Sequence, residues 1–243
     1  MKQVPVYNPR DVDVRKMFND IAPKYDFLNH FLSAGIDKCW RRKTIRLLKP
    51  YNPKQILDIA TGTGDLAIKA LSLNPDLVTG VDISEEMLKI AERDAKQKKI
   101  KAIFFKADIG KEKLPFASNF FDYAIFISTL HCIETAEARK KALEELYRVL
   151  KKGGEAVISV WKKEAMIETW KNKKASNFNF DAAQGKELFV NWRKDGITYH
   201  RYYYFYDEKE LENLLKKAGF KILKKNAEEN KHSKKNIVFY VRK

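Results

Sequence analysis

The chain has 243 residues, 44% of them hydrophobic, with 48 lysines and arginines against 32 acids and a net charge of +16. That length and apolar content suit one domain with a sizeable core and exclude an intrinsically disordered chain. No run of about 18 consecutive apolar residues is present, and Met1-Lys2-Gln3-Val4-Pro5 lacks the apolar stretch of a secretory leader, so no integral membrane segment is expected and the cytoplasm is the default compartment.

Residues 11–49 place apolar side chains at helical spacing: Val14, Met17, Phe18 and Ile21, then Phe27, Leu28, Phe31 and Leu32, then Trp40, Ile45, Leu47 and Leu48. Pro23 is expected to break the first of these helices. Strand and helix patterns then alternate from residue 55 to residue 160, which predicts a parallel sheet with helices on both faces. The strands are expected to end near Ile59, Asp82, Asp108 and Ser128, with a fifth over residues 155–161. A helix over residues 137–150 is expected to stop at Gly153-Gly154. Residues 162–200 read as irregular, basic and aromatic, with Trp170, Phe178, Phe180, Phe189 and Trp192 among lysines. A helix over residues 207–218, capped by Asp207 and stopped by Gly219, precedes strands over 220–225 and 236–242. The fold class is therefore α/β and Rossmann-like. It forms one domain, divided into a helical cap (1–50), a core (51–161), an insertion (162–206) and a closing helix with a strand pair (207–243).

The most informative stretch is Ile56-Leu57-Asp58-Ile59-Ala60-Thr61-Gly62-Thr63-Gly64, followed at once by a helix pattern from Asp65. Glycines in such a turn let backbone amides approach a ligand that a Cβ would hold off. Asp82 ends the next strand about 20 residues on, where a ribose hydroxyl pair needs an acceptor. A nucleoside-containing cofactor is expected. The dinucleotide spacing G-x-G-x-x-G tolerates Ala67 in its third position, so spacing alone does not exclude a pyrophosphate. Asp58 before the turn and Asp65 after it would repel one and suit a cation. S-adenosylmethionine carries a sulfonium and an ammonium and no phosphate. The plain alternative is an ordinary strand-to-helix turn.

The run from Leu57 to Gly64 resembles the first motif of the class I S-adenosylmethionine methyltransferases. The resemblance implies a seven-stranded, mostly parallel sheet in which one of the last two strands runs antiparallel. It also implies a cofactor site at Asp58, Ala60, Thr61, Gly62, Thr63 and Gly64. Asp82 joins that site with Ile83 and Met87, Asp108 faces the adenine amino group beside Ile109, and Ser128 stands at the end of the fourth strand. Asp122 is read as orienting backbone near a strand start.

Residues 18–100 further resemble the ubiquinone/menaquinone C-methyltransferases, through Phe18-Asn19-Asp20-Ile21-Ala22-Pro23-Lys24-Tyr25-Asp26, Asn29, Ser33-Ala34-Gly35-Ile36-Asp37 and Trp40-Arg41-Arg42. This implies that Tyr25 lies over the cofactor and that the cap helices shape an apolar acceptor pocket. From about residue 101 the chain is instead similar to the tRNA wobble-uridine carboxymethyl methyltransferases. The carriers are Leu130-His131-Cys132, Thr135-Ala136-Glu137-Ala138-Arg139, Ala142-Leu143-Glu144-Glu145-Leu146, Arg148-Val149-Leu150, Val160-Trp161 and Arg201-Tyr202-Tyr203-Tyr204-Phe205, with Glu210-Leu211-Glu212 after them. Three explanations fit: a divergent member with mixed features, a natural recombinant, or an engineered chimera joined between residues 94 and 101.

The two resemblances imply different chemistry. A carboxylate acceptor is already ionised at neutral pH and needs only a cation to orient it, whereas a ring carbon of a quinol needs a proton removed. His131, just past the fourth strand, is a candidate base or anion contact, against the plain reading of a packed histidine. Arg201 with Tyr202 and Tyr203 is a candidate anion site that stacks a base. Arg139 reads as a solvated charge, and Trp192-Arg193 as a weak stacking pair. The positive charge favours RNA or an anionic membrane, unless it is only a lysine-rich solvated surface. The leading expectation is a modified uridine in tRNA, and the alternative is a small aromatic quinone precursor. A chimera that binds cofactor without a matched acceptor is the non-enzyme reading. Cys39 and Cys132 imply no disulfide framework, and no metal is expected.

Overall fold

Strand β1 (Gln55–Ile59) is buried along almost its whole length, with Ile56 and Leu57 fully enclosed on opposite faces. A strand covered on both faces reads as a continuous apolar run, and such strands assemble in parallel. β1 pairs in parallel with β2 (Leu77–Asp82) and β4 (Phe121–Ile127). β2 pairs with β3 (Ala102–Lys106), and β4 with β5 (Leu150–Trp161). β9 (Asn236–Arg242) runs antiparallel to both β5 and β8 (Lys221–Lys225). The result is a seven-stranded sheet in the order β3-β2-β1-β4-β5-β9-β8, with β6 (Glu187–Lys194) and β7 (Ile197–Tyr204) forming a separate antiparallel pair. The computed structural model describes residues 14–33, 45, 52–172, 185–194, 197–225 and 236–243. For residues 24, 26–33, 169–172, 191–194 and 197–198 it describes the backbone alone. The expectations placed on Cys39, Trp40, Leu47, Leu48, Phe178 and Phe180 lie outside the described residues, as do those on the side chains of Phe27, Leu28, Phe31, Leu32, Trp170, Trp192 and Arg193.

Apolar side chains alternate across the sheet. Leu57, Phe126, Ile158 and Phe239 pack on one face with Leu143 and Leu146 of helix α4 (Ala136–Val149). Ile56, Val78, Ile125 and Val157 pack on the other with Leu66 and Ala67 of helix α2 (Asp65–Ala70). Helix α1 (Val14–Ser33) lies against helix α3 (Glu85–Gln97), where Ile21 and Ala22 meet Met87.

Three expectations are corrected. Pro23 sits inside α1 without ending it. A helical proline forfeits its own amide bond, and the buried contacts of Met17, Ile21 and Ala22 hold the helix across that defect. Gly153 and Gly154 do not cap α4. Leu150 turns the chain into extended backbone and pairs with Phe121, and the glycines fall in an irregularity of β5 before Glu155 pairs with Tyr123. Residues 162–206 are regular where described: helix α5 (Lys163–Asn172) precedes the β6–β7 pair. Helix α6 (Glu208–Lys217) begins as expected, with the Asp207 carboxylate accepting from the Glu210 amide at 2.7 Å.

Candidate functional site: a cleft at the carboxyl ends of the strands

The turn after β1 winds through left-handed backbone at Ala60 (φ 56°), Gly62 (φ 58°) and Gly64 (φ 78°). The Thr61 amide donates to the Val81 carbonyl at 2.9 Å, and the Gly64 amide to the Thr61 carbonyl at 3.0 Å. Asp58 is 3% exposed and accepts the Thr61 hydroxyl at 2.7 Å. Asp82 receives the Gly62 amide at 2.8 Å on one oxygen and the Ser84 amide at 2.8 Å on the other. Burial pushes the Asp82 carboxyl up, against the pull of those amides. Ser84 then caps α3 by accepting from the Met87 amide at 3.2 Å. Asp108 turns back to accept the Gly110 amide at 3.0 Å, just past the end of β3.

These strand ends open onto a cavity of about 570 Å³. It is lined by Tyr25, Asp58, Ala60, Thr61, Gly62 and Thr63 and, across the turn, by Asp82, Ile83, Met87, Asp108, Ile109 and Ser128. All were expected there. Gly64 is not among the lining residues. A Cβ at Gly64 would lie 2.8 Å from that of Ala91, so this glycine allows the close approach of α3. At Gly62 a Cβ would sit 3.6 Å from the Tyr25 ring, an ordinary contact, so it is the left-handed backbone that calls for glycine there. Asp122 receives the Lys54 and Gln55 amides and the Lys151 ammonium, which fixes the entry to β1 as expected.

The other wall holds the acceptor-side candidates. His131 is fully buried and does not line the cavity. Its ring lies 5.1 Å from that of Trp161 and is stacked on Tyr203 at 5.8 Å, and neither ring nitrogen has a hydrogen-bond partner among the described residues. Burial, then the Arg201 charge, pushes its pKa down to about 3. The expectation of an acceptor-facing base at His131 is therefore not met, and the packed-histidine reading fits. Arg201 does line the cavity. Its guanidinium lies 5.2 Å from the centre of the Phe18 ring and 5.0 Å from that of Tyr203, and donates to Cys132 Sγ at 3.8 Å. Arg139 is not a solvated charge. It is 5% exposed and clamps the Ile133 and Glu134 carbonyls, each at 2.9 Å, and the Tyr202 hydroxyl at 3.1 Å. Tyr202 reaches the cavity, and burial pushes its pKa up to about 12.

Comparison with known proteins decides the lineage. The profile of the ubiE/COQ5 methyltransferase family matches residues 6–230. The chain belongs to the ubiE/COQ5 methyltransferase family. The match runs through both stretches that the sequence assigned to different lineages. A demethylmenaquinone methyltransferase from Bacteroides fragilis is 47% identical over 146 residues, 60% of this chain and 58% of that one. One from Thermus thermophilus is 43% identical over 143 residues, 58% of this chain and 63% of that one. The matched stretch thus spans about three-fifths of the length of these curated relatives. Among solved structures, S-adenosylmethionine-dependent methyltransferases from Methanosarcina mazei (24% identity, TM-score 0.61, covering 78% of this chain and 92% of that one) and Clostridium acetobutylicum (21%, TM-score 0.66, 90% and 98%) share the fold.

In this family member the sequence reading missed Phe18, Cys132 and Trp161 as cavity residues, while Asp65 and Tyr202, read as ligand-facing, do line it. Trp161 was within reach of the rule that ligands sit at the carboxyl ends of parallel strands, since it closes β5. The others depend on how distant segments meet. The donor set fits S-adenosylmethionine: a buried carboxylate before the turn, a second acid after it, and Asp82 at the next strand end. Among the described residues no group of three or more His, Cys, Asp or Glu is placed to hold a metal ion, and no helix is long and apolar enough to cross a membrane.

Proposed function

We propose that the chain is an S-adenosylmethionine-dependent methyltransferase that methylates a ring carbon of a quinone precursor. The observation that carries this reading is the family match over residues 6–230, which includes Arg201 and Tyr202 at the cavity wall. The relatives from Bacteroides fragilis and Thermus thermophilus support the same acceptor class. They weigh against the RNA acceptor that the net charge of +16 and the Arg201–Phe205 run first suggested.

S-adenosylmethionine supplies, when bound, a methyl carbon made electrophilic by its sulfonium. Asp82 would receive the ribose hydroxyls, Asp58 and Asp65 would face the cationic end, and Asp108 and Ile109 would border the base. Tyr25 and Phe18 of α1 would close the cleft and exclude water, so that orientation supplies much of the rate. Residues 51–161 then form the cofactor core and residues 162–206 the acceptor side. Residues 207–243 complete the sheet.

The test offers the protein S-adenosylmethionine with a reduced demethylmenaquinone or with tRNA and follows methyl incorporation. Methylation of the quinol ring is expected. Methyl groups in tRNA and none in the quinol would overturn the acceptor assignment. Cofactor binding with turnover on neither would favour the chimera without a matched acceptor.

A further inference from the structure

The cavity wall holds a half-buried cation that no carboxylate among the described residues neutralises. Among the described residues Arg201 Nε is shut off from solvent without a hydrogen bond, and no carboxylate pairs with this guanidinium. Its one hydrogen bond among the described residues is the long contact to Cys132 Sγ, and its faces meet Phe18 and Tyr203. Shielding part of a charge from water without giving it a partner is costly, so such groups are retained where something else completes them. A guanidinium between aromatic rings at a cavity wall suits a flat ligand bearing negative charge.

Resting on the proposed methyltransfer reading, we propose that Arg201 receives the ionised phenol oxygen of an aromatic acceptor. Binding there breaks the acceptor O–H bond, leaves the electron pair on oxygen and sends the proton to a solvent water. The ionised ring is the better carbon nucleophile, and His131 is walled off from supplying a base. A phenol oxygen fits better than a carboxylate, because the Cys132 contact occupies part of the fork with which a guanidinium grips two oxygens.

The probe is 4-nitrophenol, whose ionised form absorbs visible light and whose neutral form does not. Titrated with wild-type protein in excess, its ionisation midpoint should fall by about one to three pH units relative to the free probe. Arg201→Met should abolish that fall, and Arg201→Lys should keep part of it. Cofactor affinity by calorimetry should stay unchanged in both. An absent shift in the wild type, or an equal one in Arg201→Met, overturns the inference. If Arg201→Met does not fold, the wild-type and Arg201→Lys titrations decide. Benzoate binding tighter than the phenol probe would overturn the phenol assignment in favour of a carboxylate. Cofactor binding without a probe shift removes the role of Arg201 alone, whereas loss of cofactor binding by the wild type removes the reading of the whole cleft.

Discussion

On the cofactor side of the cleft, both oxygens of Asp82 hold backbone amides, Asp58 holds the Thr61 hydroxyl, and Ser84 caps α3. On the acceptor side, both ring nitrogens of His131 and the Nε of Arg201 are buried with no partner among the described residues. The acids of the first wall are held in place by the chain's own amides and hydroxyls. The second carries unmatched polar groups, each costing about 1–3 kcal/mol, offset by aromatic packing among Trp161, Tyr203 and His131. Rigidity on one wall and unmet polarity on the other is what a shared cofactor and a selected acceptor require.

The largest effect should come from overfilling the finished wall. Gly64→Val places a side chain in left-handed backbone, which costs about 1–2 kcal/mol, and drives it into Ala91, where overpacking costs about 1–3 kcal/mol more. Urea unfolding should show a loss of about 2–5 kcal/mol. A loss under about 1 kcal/mol would mean that α3 can retreat and that this wall is not rigid.

Next comes Asp82→Ala, which removes a buried acceptor from the same wall. Hydrogen bonds to a charged group are worth about 1.5–3 kcal/mol each, so S-adenosylmethionine affinity should fall on the order of 100-fold by calorimetry. An unchanged dissociation constant would take Asp82 out of the site.

The acceptor wall should show itself in the pH dependence of stability. In the unfolded chain His131 takes a proton near its ordinary pKa of about 6.5, while in the folded protein it resists until about 3. Between those values the unfolded state binds more protons, so stability falls as pH falls, by up to about 1.4 kcal/mol per unit. From pH 7 to pH 5 the contribution is about 2 kcal/mol. His131→Phe should flatten that part of the curve in urea titrations at the two pH values. A parallel curve in the variant would show that the buried ring is already satisfied by water.

The contrast also explains what was legible beforehand. The Ile56–Gly64 run, Asp82 and Ser84 are local signals: a strand end, a turn and a cap read off consecutive residues. All but Gly64 of the residues expected around the cofactor line the cavity. At Gly64 the missing Cβ admits Ala91 of α3, and a glycine kept for helix packing looks, in sequence, like one kept for a ligand. The acceptor wall joins residues far apart: Phe18 meets Arg201, Arg139 meets Tyr202, and His131 meets Tyr203. No spacing rule predicts such meetings. Strand β6 was read as irregular because Leu188, Phe189 and Val190 are consecutive apolar residues, which hides the alternation of a half-exposed strand.

The smallest effect tests whether the two walls are joined. Asn19 of α1 accepts the Ser84 hydroxyl at 2.7 Å and the Glu86 amide at 3.3 Å, extending the cap of α3 on the cofactor side. Its neighbour Asp20 accepts the Tyr199 hydroxyl from β7 on the acceptor side. Asn19→Ala and Tyr199→Phe should each cost about 1 kcal/mol of stability, the ordinary worth of a hydrogen bond. If α1 is a rigid strap, loosening one contact frees the other, and the double variant should lose less than the two singles together, by at least about 0.5 kcal/mol. Strict additivity would mean that each wall holds α1 by its own contact. Selection of the acceptor would then be free to change without disturbing the cofactor.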